Sequence, residues 1–281
     1  MKSTKLSFVF IFLVFISVKS FTQEVVYGSN LGSYVSISNT KIYYEEYGKG
    51  MPLLLLHGGF GSIQDFQKVI PELAKHFRVI AADSPGHGRS EQADTLSFEL
   101  MSDYVSRMVD LLKLDSVNII GYSDGGITAL LLATKRPDKV KKVVVSGVNS
   151  RMDGIKPEVL EYLKLLSPEF IQANQKEWLI DYQRKSPEKD KWEKFVFDMK
   201  RMYSQNVLIN DQTLSGINAE VLLVFGDRDV IKLEHGIELY QTIDGSRLCI
   251  LPGTPHEVFS ERPALISKIG IEFFKNENLS E

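Results

Sequence analysis

Val117-Asn118-Ile119-Ile120-Gly121-Tyr122-Ser123-Asp124-Gly125-Gly126-Ile127-Thr128-Ala129-Leu130 is the stretch that decides how this chain folds. Val117–Ile120 is a short β-rich run that reads as a strand. From Gly125 the pattern turns helical and continues to Arg136, where Pro137 removes the next helical N–H. Between strand and helix lies G-x-S-x-G, Gly121 to Gly125. The pattern alone says little, because glycine and serine are common. Set between a strand and a helix, it describes a sharp turn that exposes a serine hydroxyl. The glycines let neighbouring chain pass close, and the helix N-terminus directs N–H groups and partial positive charge toward an anion forming there. Ser123 is the candidate nucleophile, and the Asp124 N–H is the first candidate oxyanion donor.

The same rhythm extends outward in both directions. Tyr34–Ile37 and Ile42–Glu46 alternate as a hairpin around Ser38-Asn39-Thr40. Leu53–Leu56, Val79–Ala82, Val143–Ser146, Val221–Phe225 and Leu248–Leu251 read as further strands. Phe66, Val69, Ile70 and Leu73 recur at helical spacing, as do Met101, Tyr104, Val105, Met108 and Leu112, and a last helix covers Ala264–Lys275. Strands separated by helices predict an α/β fold, a mostly parallel sheet flanked by helices on both faces. Residues 149–218 break the rhythm with helical patterns alone, the clearest being Trp192, Phe195, Val196, Met199 and Tyr203. They are expected to form a helical cap over one end of the sheet. Packing between cap and core explains that aromatic stripe, with some of its members available to line a pocket.

A serine hydroxyl needs a base, and the base needs an orienting acid. Of five histidines, His76 and His235 fall in helical stretches and read as solvated surface residues. His57 and His87 lie in glycine-rich loops before the serine. His256 follows the last strand, where the order serine, acid, histidine places the base. The acid belongs after Val221–Phe225, in Gly226-Asp227-Arg228-Asp229. Asp229 is far enough past the strand to turn back toward His256, whereas Asp227 suits holding the turn itself. His57-Gly58-Gly59 follows Leu53–Leu56, and the Gly59 N–H is the second candidate oxyanion donor, with Phe60 next in line. Asp83–Ser90 is a polar, turn-rich loop assigned a structural role. His57, His87 and Asp83 lack the close ligand spacing of a zinc site, so neither metal nor cofactor is expected.

Composition excludes other classes. Thirty-three basic against 36 acidic residues, net −3, gives no basic surplus for nucleic-acid binding. One cysteine, Cys249, excludes an intramolecular disulfide framework. At the N-terminus, Lys2 and Lys5 precede an apolar run, Leu6–Val18, and Ser20-Phe21-Thr22 supplies small residues for cleavage. That layout predicts a secretory signal peptide over residues 1–22, because a span needs roughly 20 apolar residues. Its removal leaves 30 basic against 36 acidic residues, an exported chain with no membrane attachment. Residues 23–148 and 219–281 would then form the core around the 149–218 cap.

Taken in order, His57-Gly58-Gly59, Asp83–Ser90, the elbow at Ser123, Gly226–Asp229 and Pro252–His256 resemble the α/β-hydrolase fold from about Tyr34 to Lys275. Within it, Ser123-Asp124-Gly125-Gly126-Ile127-Thr128-Ala129-Leu130 and Gly245-Ser246-Arg247-Leu248 resemble the biphenyl-hydrolase-like (valacyclovir hydrolase) group. The likeness implies a serine esterase for small esters, α-amino-acid esters included. This chain departs in its signal peptide and, loosely, in its cap. The Asp124 carboxylate either faces the acyl group, where it would favour an ammonium, or points away and stabilises the helix N-terminus. Carbon–carbon bond or enol-lactone hydrolysis would use the same residues on substrates that carry carboxylates. A non-catalytic binding protein of this fold would have no use for an ordered serine, acid and histidine.

Overall fold

The computed structural model describes residues 31–206 and 208–275, and the signal peptide expected over residues 1–22 lies outside them. Its strands are β1 (Ser33–Ile37), β2 (Thr40–Tyr47), β3 (Pro52–Leu56), β4 (Arg78–Ala82), β5 (Val117–Tyr122), β6 (Val140–Ser146), β7 (Glu220–Gly226) and β8 (Arg247–Leu251). They form one sheet in the order β1-β2-β4-β3-β5-β6-β7-β8. Pairings from β4 to β8 are parallel, and β1 and β2 pair antiparallel at one edge. Ser38 (φ 47°) and Asn39 (φ 66°) make the β1–β2 turn, and Thr40 already pairs with Ile37. Positive φ at both turn residues matches the right-handed twist of the strands it joins.

The helices are α1 (Ile70–Leu73), α2 (Phe98–Leu111), α3 (Asp124–Lys135), α4 (Pro157–Lys164), α5 (Pro168–Asn174), α6 (Lys176–Lys185), α7 (Trp192–Tyr203), α8 (Asp211–Ser215), α9 (Leu233–Thr242), α10 (Val258–Glu261) and α11 (Pro263–Lys275). Successive strand residues face opposite layers. Leu54 and Leu56 of β3 pack with Phe98 and Met101 of α2 and with Ile127 and Leu130 of α3. Leu53 and Leu55 pack with Ile70 and Leu73 of α1 and with Phe273 and Phe274 of α11. Each such side chain taken fully out of water contributes about 1.5–3 kcal/mol. The sheet is thus the α/β-hydrolase fold read from the sequence. One expected element differs: Phe66 to Leu73 is not one helix but a 3-10 turn, Ile63–Phe66, followed by α1 with Pro71 in its first turn. Proline lacks the N–H that an unbroken helix would need there.

Helices α4 to α8 lie between β6 and β7. Trp192, Phe195, Val196 and Met199 of α7 are buried with the core, and Tyr203 closes the stripe. The chain enters this segment along the residues that follow β7. Lys156 N–H donates to Val230 O at 2.9 Å, Lys232 N–H to Gly154 O at 2.9 Å, and Ile155 bridges to Ile231.

A Cβ on Gly125 would overlap the backbone carbonyl of Leu56, whereas one on Gly245 (φ 68°) meets nothing within 4 Å. Gly125→Ala should therefore cost at least about 3 kcal/mol in chemical denaturation, by overpacking backbone that cannot yield. Gly245→Ala should cost about 1–2 kcal/mol, for left-handed strain alone. Equal losses at the two sites would contradict the close approach of α3 to β3.

Candidate active site

Ser123 adopts φ 51° and ψ −117°, a conformation that residues with a side chain rarely take. Its neighbours hold it there. Ser123 N–H donates to Ser146 O of β6 at 2.9 Å, and its carbonyl accepts from Gly126 and Ile127 N–H at 2.8 and 3.1 Å. A Cβ on Gly121 would lie 2.5 Å from the Gly125 carbonyl, so the elbow closes only with glycine at that position. The strain of such a residue, about 1–3 kcal/mol, persists because the surrounding contacts fix it from both sides.

The loops after β7 and β8 bring the other two expected residues to this hydroxyl. His256 Nε2 lies 3.1 Å from Ser123 Oγ, and His256 Nδ1 lies 2.6 Å from Asp229 Oδ1. Asp229 is buried, and the same oxygen accepts Ile231 N–H at 3.0 Å, which fixes its rotamer. A proton on His256 Nδ1, held by Asp229, leaves Nε2 free to accept from the serine. Asp227 turns away and accepts Thr254 N–H at 3.2 Å, with Gly253 and Thr254 N–H holding its carboxyl below the usual range. It secures the loop that carries His256. Gly147 (φ 61°) leaves room for the imidazole, where a Cβ would sit 2.6 Å from its Cε1.

Gly59 and Asp124 line the same cavity as Ser123 and His256, so both expected donors border the reacting site. The loop bearing Gly59 is knitted to its surroundings. His57 Nδ1–H donates to Gly58 O at 2.7 Å, and Nε2 accepts Ser84 N–H at 2.9 Å. Burial pushes His57 down to about 3, so the ring is neutral and serves as a brace. Asp83 accepts Ile63 and Arg89 N–H, each at 2.8 Å, and burial pushes its carboxyl up to about 6. His87 Nδ1–H donates to Pro85 O at 3.0 Å, and burial pushes that ring down to about 4.

The cavity has a volume of about 250 Å³ and walls that include Phe98, Ile127, Met152, Ile155, Leu208 and Ile231. Into this apolar surround projects the Asp124 carboxylate, whose Oδ2 accepts the Tyr203 hydroxyl at 2.6 Å. Burial pushes Asp124 up to about 6, while the Tyr203 hydrogen bond and nearby His256 oppose the shift. Tyr203 ends the α7 stripe, some of whose aromatics were open to lining a pocket, and it does line this one, but its bond to Asp124 was not foreseen. Two residues were missed: Trp178 of α6, which stacks on Phe60, and Lys185, whose Nζ donates to Ser62 Oγ at 2.8 Å and Asp181 Oδ2 at 2.6 Å. His235 is a correction. It is buried rather than solvated, with Nε2 accepting Ser150 N–H at 3.0 Å and Nδ1 facing Glu238 Oε2 at 3.1 Å. Gly154 makes room for its ring, a contact between segments 81 positions apart that helical spacing cannot reveal.

A parallel sheet that presents a serine at a strained turn after an interior strand defines a hydrolase of the α/β class. The chain belongs to the alpha/beta hydrolase fold family, whose model matches residues 51–263. It is similar to serine hydrolase BPHL of Homo sapiens, 28% identical over 86% of this chain and 85% of that one. It is also similar to 2-hydroxy-6-oxo-2,4-heptadienoate hydrolase of Pseudomonas putida, 25% identical over 83% of this chain and 92% of the other. The solved meta-cleavage product hydrolase of Pseudomonas fluorescens IP01 superposes with a TM-score of 0.73 at 20% identity, covering 88% of this chain and 98% of that one.

Because the folded protein holds Asp124 protonated up to about pH 6, its contribution to stability is complete near pH 4 and is lost as pH rises through 6. Asp124→Asn should therefore gain stability relative to the parent between pH 4 and pH 7. Urea unfolding of both proteins across that range checks this, and a difference independent of pH would contradict the buried, raised carboxyl. Asp65 and Asp83 shift the same way in both proteins and cancel in the comparison.

Proposed function

We propose that this α/β hydrolase is an exported serine esterase for small carboxylic esters, with α-aminoacyl esters preferred. The observation that carries the reading is the chain of contacts from Asp229 through His256 to Ser123, opening on an apolar cavity that holds one buried carboxylate. In this mechanism Ser123 Oγ attacks the ester carbonyl while His256 Nε2 takes its proton. Asp229 holds the imidazole in the productive tautomer and balances the imidazolium. The N–H groups of Gly59 and Asp124 donate to the tetrahedral oxyanion, and His256 returns the proton to the departing alcohol. Water, deprotonated by His256, then attacks the acyl-enzyme, and the collapsing intermediate releases the acid and restores the serine. No metal or cofactor has a step to perform.

Ser123→Ala and His256→Ala should each abolish turnover of a p-nitrophenyl ester with the fold intact by circular dichroism. Asp229→Asn should cost about 10⁴ in kcat, by permitting the wrong imidazole tautomer. An Asp229→Asn variant near parental activity, with Asp227→Asn inactive, would assign the acid to Asp227.

Asp124 supports the aminoacyl preference. Beside the nucleophile and away from water, its carboxylate offers an α-ammonium a charge-assisted hydrogen bond of about 1.5–3 kcal/mol. That corresponds to roughly 10- to 150-fold in kcat/KM over the des-amino ester. The preference should fall below about pH 6, where Asp124 is protonated, and vanish in Asp124→Asn, which keeps the backbone N–H and should hydrolyse the neutral ester as before. Equal losses on both esters would leave Asp124 a structural role at the elbow. A second reading, carbon–carbon bond hydrolysis or enol-lactone opening, rests on similarity to the Pseudomonas putida hydrolase. The Asp124 carboxylate disfavours it, since such substrates carry carboxylates of their own.

Export rests on the N-terminal pattern of lysines, apolar run and small residues. Mass analysis of protein recovered outside the cytoplasm should find a chain beginning at or near Gln23, whereas soluble cytoplasmic protein that retains Met1 would contradict it.

A further inference from the structure

Phe60 has φ 57°, a left-handed conformation that is unusual for a bulky side chain. It sits between Gly59 and Gly61, in a turn closed by a hydrogen bond from Gly61 N–H to Gly58 O at 3.2 Å. Its ring is partly buried against the main core. It stacks on Trp178 of α6, with centroids 4.5 Å apart and planes 12° from parallel, and meets Phe195 of α7 edge-on at 5.3 Å. The same two helices grip both sides of the turn. The Tyr203 hydroxyl occupies the space a Gly59 Cβ would need, and Lys185 Nζ donates to Ser62 Oγ at 2.8 Å. The core contacts the loop through His57, through Asp83 on Ile63 N–H and through Asp124 beside Gly59, and α6 and α7 hold the tip through Trp178, Phe195, Tyr203 and Lys185.

We propose that Trp178 is a positioning residue for catalysis: by stacking on Phe60 it fixes the left-handed turn that aims the Gly59 N–H at the reacting carbonyl. The helices between β6 and β7 then complete the oxyanion site as well as walling the substrate cavity. This deepens the esterase reading and rests on it, since it takes Ser123 as nucleophile and Gly59 N–H as donor. Trp178 also lines the cavity, and a residue acting purely as a wall makes a different prediction. A wall alters KM for whatever part of the substrate lies against it and changes kcat little. A strut under the oxyanion donor alters kcat for every ester, because acylation and deacylation both pass through a tetrahedral oxyanion.

The test is steady-state hydrolysis of p-nitrophenyl acetate by the full-length enzyme and its variants, with thermal unfolding as a check on the fold. Trp178→Ala and Trp178→Leu, the second keeping bulk without an aromatic face, should each lower kcat about 10-fold. That is less than the roughly 10²–10³-fold that follows outright loss of a donor. KM should move less than about two-fold, and Trp178→Phe should keep most of the parental kcat. Phe60→Gly, which accepts the positive φ but lacks the ring, should lose a similar factor, and adding Trp178→Ala to it should lower kcat no further. Folded Trp178→Ala and Trp178→Leu with kcat on the acetate within about two-fold of the parent would overturn the proposal, as would losses that multiply in the double variant. Turnover surviving in Ser123→Ala would instead overturn the esterase reading, whatever Trp178 does.

Discussion

Gly125 meets the carbonyl of Leu56 with no space for a side chain, and the rest of the site depends on that contact between α3 and β3. It lets the helix start directly beneath the end of the sheet, which drives Ser123 into φ 51°. The strained serine then points away from both elements, toward the loops that follow the neighbouring strands. Parallel topology supplies the rest: strands running the same way end at the same edge, so the loops after β3, β7 and β8 converge on the turn after β5. Strain at one residue is maintained by the burial of many, a small part of the total apolar burial.

Around this turn the titratable groups divide by environment. His57 and His87 are kept neutral by burial and act as hydrogen-bonding braces for two loops. His256 is partly open to the cavity and has a carboxylate behind it, the setting a base needs. Asp124 and Asp229 are both buried acids, yet they face different partners. One is bound to a tyrosine hydroxyl at the cavity wall, the other to an imidazole and a backbone N–H. Chemistry at this site follows from those partners rather than from the residue types alone.

Local pattern made much of this visible in the sequence. The strand, elbow and helix around Ser123 announce themselves between Val117 and Pro137, because strand periodicity, glycine spacing and the proline agree. Chain order then narrows the acid and base to two loops, and the distance past β7 separates Asp229 from Asp227. Distant contacts that no motif or chain order announces were not legible. Tyr203 meets Asp124 across 79 positions, and that meeting depends on how α7 lies over the sheet. His235 looked solvated on helical spacing alone, since the room for it comes from Gly154 on another segment. Pro71 was in plain view, but apolar spacing outweighed it in reading one helix where the chain makes two short turns.

Activation of Ser123 by His256 and Asp229 is the claim on which the functional account turns, and covalent labelling tests it without knowledge of the substrate. The protein should react with one equivalent of a fluorophosphonate, intact mass should show one adduct, and peptide mapping should put it on Ser123. His256→Ala should remain folded and unlabelled on the same timescale. Labelling at another residue, or a parent protein as inert as its His256→Ala variant, would contradict the account.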